Sequence, residues 1–115
     1  MEPSSTDPKT LLPLTHLSFH MLVALRDAPL HGYAIIKSVK ERSSGAVSPG
    51  TGSFYSALAR MEDEGLLQEA DVSADQRAVD SRRRYYGLTP FGQQVLSAET
   101  DRLRALVTWA ESPAG

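Results

Sequence analysis

Residues 52–67 read Gly-Ser-Phe-Tyr-Ser-Ala-Leu-Ala-Arg-Met-Glu-Asp-Glu-Gly-Leu-Leu, and the spacing predicts one short helix with two chemically different faces. Ser53 is a good N-cap, because its hydroxyl can accept from a backbone N–H that the first turn leaves unpaired. Phe54, Leu58 and Met61 fall at i, i+4 and i+7 and define a core face. Gly65 supplies the left-handed position that ends a helix, and Leu66-Leu67 opens an apolar strand. The opposite face carries Ser56, Ala59, Arg60 and Asp63, with Tyr55 at its edge. Small, hydroxylated and cationic side chains on an exposed helix are what a DNA major groove accommodates, which makes this a candidate recognition helix.

At 115 residues, 41% apolar and 23% charged, the chain has the size and composition of one soluble globular domain with a modest core. No apolar run approaches the roughly 18 residues of a membrane span, and the N-terminus lacks a signal-peptide pattern. The absence of cysteine excludes disulfides and thiolate metal sites and fits a cytoplasmic location. A formal charge of -2 counts against a passive, strongly basic nucleic-acid binder. Local distribution matters more, because exposed charges act over about 10 Å. The acids gather near the N-terminus, in residues 71–80 and in the last helix, whereas Arg82, Arg83 and Arg84 are consecutive.

Three prolines and several polar residues mark residues 1–13 as a flexible arm. Thr15 caps a helix over residues 15–27 that is apolar nearly all round, as expected of a helix buried in part by a partner subunit. A second helix over residues 31–43 turns Ile35, Ile36 and Val39 inward and Lys37, Lys40 and Arg42 outward. Residues 43–52 form a loop. Residues 66–72 and 83–88 are the expected strands, paired as an antiparallel hairpin around a projecting polar loop centred near residues 75–80. Thr89-Pro90 starts a last helix that ends near Glu111. Leu96, Leu103 and Ala110 recur every seven residues there, with Leu106 and Val107 beside them, as in a pairing seam. The expected fold is mainly α with a small β-hairpin: a winged helix-turn-helix over residues 14–89, a C-terminal dimerisation helix over 90–111 and a tail over 112–115.

These residues also carry a resemblance. Leu30-His31-Gly32-Tyr33 is similar to the helix-entry signature of PadR-type transcriptional regulators. Residues 54–67 resemble that family's recognition helix, and Arg83-Arg84-Tyr85-Tyr86-Gly87-Leu88-Thr89-Pro90-Phe91-Gly92 its second wing strand and the entry to its last helix. The match runs over residues 14–111 and is closest to small-subfamily members with a single C-terminal helix. The family's usual Gly-Thr start reads Gly52-Ser53 here, after a lengthened loop at residues 48–51.

The DNA-binding set expected from pattern and resemblance together is His31, Tyr33, Lys37, Ser53, Tyr55, Ser56, Arg60, Arg82, Arg83 and Arg84. Tyr55 either covers the core edge with its ring or reaches a phosphate or base. Ser56 and Arg60 either contact DNA or decorate a solvated face. Alternate side chains of a strand face opposite ways, so Arg82 and Arg84 cannot share Arg83's face, and at least one of the three reaches a phosphate. Tyr85 and Tyr86 alternate too, which puts one of them in the core. His31 caps its helix or touches a phosphate.

His16 and His20 have a chelating i, i+4 spacing, but no Cys or suitably placed Glu accompanies them, so they read as a packed or solvated pair and no metal is expected. Trp109 anchors a dimer seam or walls an effector pocket between subunits. No nucleophile, base and orienting group can be assembled, so neither an enzyme nor a cofactor is expected.

The leading expectation is a homodimeric regulator, a repressor, that holds a palindromic double-stranded operator and is released by a small-molecule effector at the dimer interface. Its subunits would meet through Leu17, Met21, Leu96, Leu103, Leu106, Val107, Trp109 and Ala110. The alternatives are a winged-helix protein-interaction module that binds no DNA, favoured by the acidic wing loop, and a metal-sensing repressor built on His16 and His20.

Overall fold

The computed structural model describes residues 7–71 and 83–113. The elements among them run α1 (His16–Ala24), β1 (Leu30–His31), α2 (Gly32–Arg42), α3 (Thr51–Asp63), β2 (Leu67–Glu69), β3 (Tyr85–Leu88) and α4 (Pro90–Glu111). Residues 72–82, which hold Arg82 and the expected wing loop, lie outside the described residues, as do residues 1–6 of the expected arm and 114–115 of the tail.

Most helices begin where the sequence supplies a cap. The Thr15 hydroxyl accepts from the Ser18 N–H at 3.0 Å and starts α1. That helix stops at Ala24, three residues before the expected end, because the Leu25 N–H is shared between the Met21 and Leu22 carbonyls at 3.2 Å. His31 Nδ1 accepts from the Ala34 N–H at 3.1 Å and starts α2. The start of α3 is a correction. Gly50 is its N-cap, the Phe54 N–H bonds to the Gly50 carbonyl at 2.9 Å, and Ser53 sits exposed in the first turn with no capping role. Gly50, extended after Pro49, lets the helix wind on toward the loop, and Thr51 and Gly52 stay exposed. The end of α3 is as expected: Gly65 takes φ +79°, and the Leu66 N–H reaches back to the Met61 carbonyl at 3.0 Å.

The sheet has three strands in the order β1-β3-β2, all antiparallel. The expected hairpin is present with shorter strands, and β1 joins its other edge through Leu30 opposite Tyr86 and His31 opposite Tyr85. With β3 central, both Tyr85 and Tyr86 are buried rather than one of them. Met21, Leu22, Ile35, Val39, Phe54, Met61, Leu66 and Val95 have no exposed surface and fill the core. Two residues assigned to subunit contact are corrected by this. Met21 is wholly inside, and Leu96 is 7% exposed, because the first half of α4 and one face of α1 close the protomer's own core. No helix among the described residues is long and apolar enough to cross a membrane.

Two joints fix α4. At its start, a Cβ on Gly92 would collide with the Leu66 backbone carbonyl, so the two backbones touch where α3 has just ended. Thr89 ties the same corner: its hydroxyl donates to the Gly65 carbonyl and accepts from the Gly92 N–H at 2.9 Å. Further along, Glu99 is buried and receives Arg102 Nε at 2.5 Å, Arg102 Nη2 at 3.0 Å and the Leu14 N–H at 2.9 Å. Residues 7–13, expected to be free arm, include a 3-10 turn (Pro8–Leu11), and Leu11 and Leu12 pack against the core.

Gly92→Ala forces backbone apart and is expected to cost about 3 kcal/mol or more, read as a lowered denaturant midpoint. Hydrogen bonding to Arg102 holds the Glu99 carboxyl below its ordinary range, with burial opposing and the Leu14 N–H assisting. A depressed carboxylate stabilises the fold above its unfolded pKa, and this contribution is lost as pH falls through the folded value. Thermal midpoints should therefore fall below about pH 4.5 more steeply in the wild type than in Glu99→Gln, which starts lower at neutral pH.

Candidate nucleic-acid interface

At about 100° per residue, the buried side of α3 is Phe54, Ala57, Leu58 and Met61, and the crest opposite is Gly52, Ser56, Ala59 and Asp63. Tyr55 and Arg60 flank that crest on opposite sides. The C-terminal end of the helix carries Glu62, Asp63 and Glu64, which repel phosphate, so the part of α3 fit to meet DNA is its first two turns. Ser53 and Ser56 are exposed there.

Beside that end lies an open groove of about 400 Å³ lined by His31, Gly32, Tyr33, Tyr55, Arg83, Arg84 and Tyr86. Tyr55 is 47% exposed, with its ring edge-on to Phe54 at 4.9 Å. Its hydroxyl lies over Gly32, where a Cβ would come within 2.7 Å of it. Tyr33 is 71% exposed and stacks on the His31 ring at 6.5 Å. Arg83 and Arg84 are exposed just before β3, with Arg83 Nη1 3.0 Å from His31 Nε2. The hydroxyl of Tyr86 titrates above its ordinary value, first because of burial and then because of Glu62 and Glu69, with Arg84 opposing. Lys37 is exposed on α2 and shares a shallow hollow with Tyr33, Lys40 and Glu41. Hydroxyls, cations and aromatic edges thus converge on one side of the molecule, a combination suited to phosphate oxygens.

The description "Transcriptional regulator PadR-like family" matches residues 21–98. The chain belongs to this family. Its members are transcription regulators, not enzymes. The chain is 36% identical over 88 residues to the transcriptional regulator Rv3488 of Mycobacterium tuberculosis, covering 76% of this chain and 75% of that one. It is also 36% identical over 86 residues to an uncharacterized 37.1 kDa protein in transposon TN4556 of Streptomyces fradiae, covering 75% of this chain but only 22% of that protein's length. Among solved structures the fold is similar to a transcriptional regulator from Clostridium thermocellum (TM-score 0.67, 21% identity, 83% of this chain and 86% of that one). A PadR family transcription regulator from Clostridium difficile is similar too (TM-score 0.66, 24% identity, 81% of this chain and 92% of that one).

Of the sequence-predicted set, the groove gathers His31, Tyr33, Tyr55, Arg83 and Arg84, while Ser53 and Ser56 stand on α3 next to it. Arg60 is a correction. Its guanidinium bonds to the Ser18 hydroxyl at 3.0 Å and to Glu64 at 3.3 Å, so the side chain, still about half exposed, braces α3 against α1 and is not the free cation of a solvated face. His16 and His20 touch edge to face at 4.7 Å, and burial lowers the His20 pKa, with His16 adding to the effect. Among the described residues no group of three or more potential ligands gathers around them.

Sequence reasoning missed Gly32 and Tyr86 as groove residues. The signal for Gly32 was present, because a glycine directly after a helix cap marks a backbone that another group approaches. Gly32→Ala should push the Tyr55 hydroxyl off the helix while leaving the core intact. Duplex affinity is then expected to fall several-fold, measured by fluorescence anisotropy, with a thermal midpoint close to the wild type.

Proposed function

We propose that this chain is a homodimeric, sequence-specific DNA-binding repressor of the bacterial type, acting in the cytoplasm and released by an effector. The observation that carries the reading is the groove itself: Tyr33, Tyr55, His31, Arg83 and Arg84 lie directly beside the small, hydroxylated first turns of α3. Ser53, Tyr55 and Ser56 would approach base edges or nearby phosphates, and Lys37, Arg83 and Arg84 would hold the backbone. Arg82 belongs to the same proposal by its place in the sequence.

Dimerisation is supported by α4. Beyond Glu99 it leaves the core, yet Leu106 and Val107 remain more than half exposed, with Leu103 half-buried and Ala110 exposed on the same side. Leu17 on α1 is also only half-buried. Trp109, 77% exposed, points roughly 100° round the helix from Ala110, so it would flank the seam, not fill it. Two copies related by a two-fold axis would present their α3 helices to successive major grooves, ~34 Å apart on a palindromic operator. An effector that shifts the subunits would break that spacing. A groove of about 810 Å³ between Lys9, Leu12, Pro13 and Ala98, bordered by Arg102, would give a small molecule access to Arg102, whose bond to the buried Glu99 anchors α4.

Selection of duplexes from a random pool tests the reading, and a recovered palindrome with half-sites one helical turn apart is the expected result. Leu106→Asp/Val107→Asp should then run as a monomer in light scattering, keep its helical circular dichroism and bind the selected duplex at least tenfold more weakly. Recovery of no enriched sequence by a well-folded dimer would overturn the proposal.

A further inference from the structure

The first turn of α1 is gripped from two sides by polar bonds. On the α4 side, the Leu14 N–H donates to Glu99 Oε2 at 2.9 Å, and the same carboxylate receives two nitrogens of Arg102. On the α3 side, Nη2 of Arg60 donates to Ser18 Oγ at 3.0 Å, while its Nη1 reaches Glu64 at 3.3 Å. The Thr15 hydroxyl joins the two sides: it donates to Ser18 Oγ at 2.8 Å and accepts from the Ser18 N–H as the helix cap. Ser18 and Glu99 are each 1% exposed, so water does not compete for either acceptor. With the Leu14–Thr15 peptide as one link, bonds run unbroken from Arg102, on the border of the groove beside Lys9 and Pro13, to the C-terminal half of α3.

We infer that Arg60 and Ser18 are positioning residues for DNA recognition, forming with Thr15, Leu14 and Glu99 a polar bridge through which α4 sets the aim of α3. The inference rests on the DNA-binding reading above and assigns the internal coupling within it. The hydrophobic burial of Phe54, Leu58 and Met61 is non-directional, whereas hydrogen bonds from a guanidinium weaken steeply with distance and angle. The bridge therefore opposes small rotations of α3 that the apolar face alone resists less. Arg60 follows Ser56 by about one turn, so a rotation allowed at Arg60 is passed directly to the residues that face DNA. Loosening Arg102 from Glu99 slackens the Leu14 end of the same bridge. Both ends thus act on one element, the first turn of α1, which is the physical requirement for coupling the groove beside α4 to α3.

Ser18→Ala removes the shared acceptor and keeps the backbone N–H that Thr15 caps. It should stay folded and bind the selected duplex about fivefold more weakly, although Ser18 is buried and touches no DNA. Arg60→Met should match it, and the double variant should be no weaker than either single, because both cut one bridge. The slope of log affinity against log salt should be unchanged in all three, since no phosphate contact is lost. Glu99→Gln should lower affinity in the wild-type background and have less than half that effect once Ser18→Ala has cut the bridge. Wild-type affinity in Ser18→Ala overturns the proposal, as does a salt slope flattened by about one in Arg60→Met, which would make Arg60 a phosphate contact. An equal effect of Glu99→Gln in both backgrounds detaches α4 from the bridge and overturns it too. A wild-type protein that binds no duplex at low salt would instead defeat the DNA-binding reading beneath it. If Ser18→Ala loses its fold, the cycle of Arg60→Met with Glu99→Gln decides by the same criteria, since the Arg60 side chain is about half exposed.

Discussion

The backbone of Gly92 touches the backbone of Leu66 with no room for a side chain between them, and the placement of α3 relative to α4 follows from that contact. Gly65 can end α3 in the left-handed region, and Leu66 then turns at once into the sheet. Thr89 locks the corner by donating to the Gly65 carbonyl, accepting from the Gly92 N–H and bonding through its own N–H to the Leu66 carbonyl at 3.2 Å. The end of one helix and the start of another are thus a single rigid joint. In the proposed dimer, the distance between two copies of α3 is inherited from it.

The net charge of -2 is a poor guide to this surface because the two signs are segregated. The acids of α3 gather at its C-terminal end, and Arg60, the cation closest to them in sequence, is drawn off to Glu64 and Ser18. What remains at the other end is uncharged or basic, with Arg83 and Arg84 arriving from β3. In the proposed complex the same segregation would orient the helix, since its acidic end would be repelled from the duplex.

How much was legible in the sequence followed from the range of each signal. The core face of α3, its end at Gly65 and the caps at Thr15 and Thr89 depend on neighbours within one turn, and all were read correctly. Periodicity placed Leu96 and Met21 on apolar stripes but could not say whether the stripe met its own core or another subunit, and both are buried in the protomer. Arg60 looked like a free cation because Ser18 is 42 residues away. Strand β1 is only Leu30 and His31, too short to show alternation, and without it Tyr85 and Tyr86 could not be recognised as residues of a central strand covered on both faces. Ser53 failed as a cap for a local reason: Gly50 offers an earlier start.

Helix α4 carries one stripe that runs past the end of the core. At about 100° per residue, Val95, Leu96 and Glu99 share a face with Leu103, Leu106, Val107 and Ala110. The first three face this protomer's core, and the rest continue the same face past the point where the core ends. Glu99 marks the boundary, and its bond to the Leu14 N–H ties the entry of α1 to the helix just before it leaves the body. A subunit covering Leu103 to Ala110 would therefore extend an existing core, and the direction in which it lies is already set by the joints at Gly92 and Glu99. In the proposed scheme, coupling between an effector and DNA would need no long relay, because a ligand that loosens Arg102 from Glu99 would act on the joint that aims the helix.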